Sequence, residues 1–290
     1  MPNFQPAIFD KTNSQHAFLE LRLAHGDNID AVKKALRQLV AMQHDSNVLV
    51  MLAFGNRLWS LLDASFEVPE FSMEGKVPAT QGDLLIWLQG KDRSSLFDAS
   101  MAAYKLLREN FALQLEVQAF VYHDSRDLSG FVDGIGNPAG DKALAAAIVA
   151  DGHPGAGGSF LITQKWVHDL DTFNRLSVTE QENTFGRTKV DAVEFDDDKM
   201  PKDSHVGLTD VDRDGVPQKI WRRSVPYGTV TEHGIYFVGF SCELDRLDYL
   251  LRNMYGMNGN EDVRDRLLDF TQPVTSSWWY VPTVEWLDAT

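Results

Sequence analysis

The segment Gly130-Phe131-Val132-Asp133-Gly134-Ile135-Gly136-Asn137-Pro138 sets one carboxylate between glycines, in a stretch rich in turn formers. Glycine allows backbone shapes that other residues resist, so an unusual loop can aim Asp133. An acid held in this way suits proton transfer. The same residues also fit a buried turn whose Asp caps a helix. Two later segments bear on the choice. His205 lies in Asp203-Ser204-His205-Val206-Gly207, after an acidic run from Asp191 to Asp203, and Arg222 lies in Ile220-Trp221-Arg222-Arg223-Ser224. By pattern alone, each of the eight histidines is more readily a surface or core residue than a ligand.

Several simpler motifs fail. Asp210-Val211-Asp212-Arg213-Asp214-Gly215 opens like a calcium loop, but its twelfth position is Trp221 where a bidentate acid is needed. It reads as a tight turn before a strand. Gly134-Ile135-Gly136-Asn137-Pro138-Ala139 superficially resembles a dinucleotide fingerprint, but Pro138 and the lack of a strand-turn-helix context argue against one. No histidines pair at zinc-protease spacing, and no CxxCH attaches a haem covalently. The single cysteine, Cys242, follows an apolar strand and reads as an inert buried thiol.

Two runs of elements must position these residues. In the first, Leu19 to Leu23 alternates as a strand, and a helix from about Asn28 sets Ile29, Val32, Leu36, Leu39 and Val40 on one face. Val48 to Phe54 and Asp83 to Gln89 read as strands. A helix follows with Phe97, Met101, Tyr104, Leu107 and Phe111 at helical spacing, then a strand from Leu113 to Tyr122. The order is β-α-β-β-α-β, a ferredoxin-like unit. The second run offers a strand at Ser159 to Trp166, helices near Asp169 to Leu176 and from Thr179, a strand at Gly234 to Phe240, and a helix carrying Leu247, Leu250, Leu251 and Met254. The fold expected is α+β: duplicated ferredoxin-like halves, 1–150 and 151–290, with antiparallel sheets and peripheral helices. The Gly/Pro/Ala-rich stretch from Gly134 to Gly158 joins them, with a short helix at Lys142 to Val149.

Composition sets limits. The 290 residues carry a formal charge of −15, which disfavours nucleic acid or an anionic membrane as a partner. Hydrophobic content of 43%, with seven Trp and 17 Phe, supplies a sizeable core and flat apolar surface to wall a cavity. One cysteine precludes an intramolecular disulfide and suits a reducing compartment. With no leader or membrane-spanning run, a cytoplasmic protein is expected.

Together, the loop, the His and the Arg resemble the dye-decolorizing peroxidase family of haem proteins, in particular its shorter B-type (P-class) members. The family's GxxDG loop corresponds to Gly130 to Gly134. Its proximal His corresponds to His205, and its R-x-S-x-P-[YF]-G segment to Arg222-Arg223-Ser224-Val225-Pro226-Tyr227-Gly228. Gly186-Arg187-Thr188-Lys189 looks like the segment whose arginine meets a haem propionate. Many family loops read G-T-E-N-P after the Asp, where this chain has Gly134-Ile135-Gly136-Asn137-Pro138.

The resemblance implies non-covalent haem b in the second half, with His205 as axial iron ligand and Arg187 and Arg222 against the cofactor. It implies a peroxidase that reduces hydrogen peroxide through a ferryl intermediate and oxidises dyes, phenolics or other reductants, with Asp133 and Arg222 promoting O–O cleavage. A second-half carboxylate such as Asp269 would accept from the other nitrogen of His205. Arg223 would face elsewhere, in a salt bridge. Surface aromatics such as Tyr122, Trp166, Trp221, Tyr227, Trp278 and Trp279 are nominal electron-transfer residues, each more readily packing. A homodimer or higher homo-oligomer is expected. The competing readings are a haem carrier or iron-releasing protein with little turnover, a haem-free ferredoxin-like binding protein and, more weakly, a chlorite-degrading haem enzyme of related fold.

Overall fold

Alternating apolar residues between Gln15 and Leu23 form strand β1, in which successive side chains face opposite sides. The structure, a computed structural model, describes residues 3–24, 28–45, 47–63, 65–259 and 263–290; His25 and the side chain of His44 lie outside them. After β1 come α1 (Ile29–Asp45), β2 (Leu49–Phe54), α2 (Asn56–Leu62), β3 (Leu84–Gly90), α3 (Arg93–Leu107) and β4 (Phe111–Phe120). These four strands lie antiparallel in the order β2-β3-β1-β4.

The rest of the chain repeats that plan with insertions. Helix α4 (Asp141–Ala147) precedes β5 (Ser159–His168), which is followed by α5 (Leu170–Phe173), α6 (Val178–Phe185) and α7 (His205–Thr209). A small hairpin, β6 (Asp212–Arg213) and β7 (Val216–Pro217), leads to β8 (Trp221–Arg222), β9 (Val225–Gly228) and β10 (His233–Ser241). Helix α8 (Leu244–Met254), β11 (Thr271–Pro273), β12 (Ser277–Val281) and α9 (Val284–Ala289) complete it. Strand β5 pairs with β12 and β11 on one side and β10 on the other, and β8 and β9 share the far edge of β10.

Two seams join the sets. Ala119 of β4 pairs with Tyr227 of β9, and Phe54 of β2 pairs with Tyr280 of β12. Because β5 already bridges β12 and β10, the sheet closes on itself as a barrel. Each seam carries a single registered pair, so interior packing has to hold the closure. Phe18, Trp87, Tyr236, Phe240 and Trp279 fill that interior. The rings of Phe18 and Tyr236, one from each set, lie 4.1 Å apart. A side chain of this size contributes roughly 1.5–3 kcal/mol when fully buried.

Some expectations shift in the structure. Helix α3 buries Leu96, Ala99, Ala103 and Leu107, while Phe97 is 57% exposed and Met101 is also exposed. Phe111 belongs to β4. The Asp92 N-cap, accepting from Ser95 N at 2.9 Å, starts the helix so that small residues meet the sheet. Asp210 to Gly215 is the expected tight turn: Asp214 and Gly215 take φ of +53° and +77° between β6 and β7. Of the nominal electron-transfer aromatics, Trp166, Trp221, Tyr227, Trp278 and Trp279 are all buried.

The barrel interior also holds a carboxyl. Glu20 is fully enclosed and accepts from Tyr236 Oη at 2.6 Å and Thr163 Oγ1 at 3.3 Å, with no cation in ion-pairing range among the described residues. Burial pushes its pKa up to about 7 from 4.5, against the pull of those hydrogen bonds. A carboxyl raised in the folded state adds stability that is complete below pH 4.5 and is lost as pH climbs through 7. The full swing is on the order of 3 kcal/mol. Glu20→Gln should therefore gain stability relative to the wild type as pH rises from 4.5 to 8, measured by denaturant unfolding. A difference that stays flat across that range would contradict the buried, uncompensated carboxyl.

Candidate active site

Period-two alternation gives β5 and β10 two buried faces. Leu161 and Thr163 point into the barrel, whereas Ile162, Gln164, Trp166 and His168 line a cavity on the outer side; on β10, Ile235 and Phe237 do the same. Helix α8 roofs this cavity with Leu247, Leu250, Leu251 and Met254. It holds about 1600 Å³ of atom-free space, its open mouth included, and its walls are mostly apolar. Asp133, Arg187, His205 and Arg222 all line it. Residues more than 85 positions apart in sequence thus meet at one site.

His205 is the first residue of α7, whose N-cap Ser204 accepts from Gly207 N. Its Nδ1 lies 2.6 Å from Oδ2 of Asp265, a fully buried carboxylate whose other oxygen accepts from Leu267 N at 2.8 Å. Arg266 N donates to Asp203 O, tying the Asp265 turn to the segment before His205. The carboxylate fixes the proton on Nδ1 and leaves Nε2, which has no protein partner among the described residues, with a lone pair for a metal. The partner expected from sequence, Asp269, instead pairs with Arg264. Asp265 carries a readable signal, an Asp that caps the following turn, but nothing in the sequence aims it at His205.

The Asp133 loop is shaped for exposure of one oxygen. Gly134, at φ +77°, lets its N–H turn back onto Asp133 Oδ1 at 2.7 Å, and Oδ2 has no partner among the described residues. Gly136 gives space: a Cβ there would stand 3.3 Å from Arg222 Nη2. Asn137 bonds the Arg222 backbone twice, donating to its carbonyl at 2.8 Å and accepting from its N–H at 2.9 Å. The loop and β8 are therefore one unit. The guanidinium of Arg222 has no hydrogen-bond or ion-pair partner among the described residues, Asp133 included. Arg223 points the other way, over the Trp87 ring at 5.3 Å and toward the carbonyls of Ala7 and Ile8, with no salt bridge among the described residues. Burial lowers its pKa to about 10.

Arg187 is buried, with Glu194 3.4 Å away at its outer side. Burial and then the nearby charge of Arg222 lower its pKa, against the pull of Glu194 and Asp133. Two guanidinium groups beside one apolar cavity favour a ligand bearing carboxylates. Phe185 and Phe131 stack at 3.9 Å, and Phe185 meets the His205 ring edge-on. A polar pair that the sequence did not reveal also lines the cavity: His168 Nε2 lies 3.0 Å from Asp127 Oδ1, and its Nδ1 lies 2.7 Å from Thr271 Oγ1. Burial pushes the Asp127 carboxyl up, but His168 and Ser129 outweigh it and hold it below its ordinary value.

A sequence model of the family described as Dyp-type peroxidase, C-terminal, matches residues 124–286, more than half of the chain. The chain belongs to the Dyp-type peroxidase family. A dye-decolorizing peroxidase of Mycobacterium tuberculosis (strain ATCC 25618 / H37Rv) is 34% identical over 273 residues, covering 90% of this chain and 81% of the relative. One from Mycolicibacterium paratuberculosis is 40% identical over 215 residues, 73% of this chain; the match spans only 60% of that relative's length. Among solved structures, DyPB from Rhodococcus jostii RHA1 superposes with a TM-score of 0.88 at 31% identity, covering 98% of this chain and 97% of that one. A variant of that protein is solved in complex with haem.

The residues present fit a haem: an imidazole with a free, oriented nitrogen, flat apolar walls, and cations at the cavity's edge. Asp265→Ala should leave His205 Nδ1 without its acceptor and bury an unpaired donor, costing about 1–3 kcal/mol of stability. It should also change the axial-ligand spectrum of the haem-loaded protein. Unaltered thermal unfolding and an unaltered haem spectrum together would rule out the Asp265 contact as a structural element of the site.

Proposed function

We propose that the chain is a haem peroxidase that binds haem b non-covalently, reduces hydrogen peroxide and oxidises dyes, phenolics or other small reductants. The observation that carries this reading is the meeting of Asp133, Arg222 and His205 on one apolar cavity, each with a polar atom that has no protein partner among the described residues. Haem, when bound, supplies the redox chemistry and the protein supplies its environment. His205 would hold the haem iron through Nε2, and the Asp265 bond at Nδ1 would make it a stronger donor. Arg187 would hold a carboxylate of the cofactor.

Asp133 takes a proton from the near oxygen of peroxide through Oδ2 and returns it to the departing oxygen. Its other oxygen is fixed by Gly134 N–H, so the shuttle does not reorient between the two transfers. Arg222 would donate to the departing oxygen as negative charge gathers there. The Asn137 clamp keeps its backbone in register with the Asp133 loop. Haem carriage without turnover would leave the Asp133 loop and the unpartnered Arg222 without a task. The halves at 1–150 and 151–290 are read as a duplication, with the site built from the second half and closed by the Asp133 loop of the first.

Arg222→Ala should slow the peroxide-induced change in the haem spectrum by roughly 10²–10³-fold in stopped flow, the cost typical of losing one donor to a developing anion. Haem should stay bound. Asp133→Asn should slow the same change, since an amide cannot carry the proton. His205→Ala should lose the axial bond and alter the ferric spectrum. Rates within a factor of two of the wild type for both distal variants would overturn the assignment of this wall.

A further inference from the structure

Behind the cavity wall stands a second redox-competent group that the peroxide chemistry does not use. Ile235 and Phe237 line the cavity, and Tyr236 between them points into the barrel, fully buried. Its Oη donates to Glu20 Oε1 at 2.6 Å. Thr163 of β5 adds a bond to the same oxygen, and Ser277 of β12 reaches Oε2 at 3.5 Å. Among the described residues, no charged group faces Glu20.

A buried phenol cannot lose an electron cheaply unless its proton leaves at the same time, because a phenol cation in an apolar interior is strongly disfavoured. Glu20 Oε1 accepts the hydrogen bond made by that proton. Burial drives the Tyr236 hydroxyl far above its ordinary range, so simple ionisation is closed to it, and lifts Glu20 to about 7, which makes it a better base than an ordinary carboxylate. Tyr236 is separated from the cavity only by the sheet it belongs to, a layer on the order of 10 Å thick. The Phe18 ring packs 4.1 Å from it, and Trp87 lies 5.3 Å beyond Phe18.

We infer that Tyr236 and Glu20 form a proton-coupled redox pair, an internal electron source used when peroxide has oxidised the site and no outside reductant is present. Tyr236 gives one electron to the oxidised site across the β10 wall. The Oη–H bond breaks, and the proton forms a bond to Glu20 Oε1. The products are a neutral phenoxyl radical and a neutral carboxylic acid, and the oxidised site is reduced by one equivalent. The inference rests on the peroxidase reading, since peroxide is the oxidant.

The test is freeze-quench electron paramagnetic resonance on the haem-loaded protein, mixed at pH 8 with one equivalent of hydrogen peroxide and no donor. The optical spectrum is followed in the same samples. The wild type should give a tyrosyl signal that narrows when the protein carries ring-deuterated tyrosine. Tyr236→Phe keeps the packing ring and should lose the signal, while the first peroxide-induced optical change keeps its rate. Glu20→Gln keeps a hydrogen-bond acceptor but not a base, and should cut the signal several-fold. If the optical change occurs but no tyrosyl signal appears in the wild type, or if Tyr236→Phe retains it, the redox pair is refuted and the peroxidase reading stands. If peroxide produces no optical change at all, the peroxidase reading fails and the pair falls with it.

Discussion

Strands β5 and β10 have no solvent face, and most of what the molecule can do follows from that constraint. One side of each closes the barrel and the other walls the cavity, so a single strand serves two interiors. Every polar residue on either face must then be hydrogen-bonded or have a reason not to be. Gln164 meets Ser276, Thr163 meets Glu20 and the Trp279 indole, and His168 meets Asp127 and Thr271. The Arg222 guanidinium, His205 Nε2 and Asp133 Oδ2 have no such partner among the described residues, which is what the proposed ligand and reaction rest on.

The two sides of the cavity are built by different means. The proximal side relies on a short-range polar contact, His205 to Asp265, made rigid because Asp265 also caps its own turn. The distal side relies on backbone: Asn137 locks the Asp133 loop to β8 through a paired hydrogen bond, and the side chains of Asp133 and Arg222 stay free. A wall organised this way can be pre-positioned without using up the donors and acceptors that the proposed chemistry needs.

Much of this was legible in the sequence. Asp133 sits in a glycine-rich segment that constrains local geometry, Arg187, His205 and Arg222 were picked out by the family resemblance of their segments, and the strands β2, β3, β5 and β10 show as apolar runs. What could not be read depended on contacts distant in sequence. Asp265 and Asp269 are both turn carboxylates within five residues, and only the packed position of the Asp265 turn against the segment before His205 separates them. The Phe97 and Met101 stripe has helical spacing, but α3 turns its small residues to the sheet and leaves those two outward. Asp127 and His168 stand 41 positions apart and carry no shared motif. Closure of the barrel rests on two single-pair seams, which no periodicity can announce.

The central claim is that this cavity holds haem and reacts with peroxide there. The direct measurement is the visible spectrum of the purified wild-type protein, expressed with haem available, before and after one equivalent of hydrogen peroxide. A histidine-ligated ferric haem band that shifts within the mixing time and returns on addition of a reducing dye is the predicted result. A protein that carries no haem, or a haem band that peroxide leaves unchanged, would contradict the account.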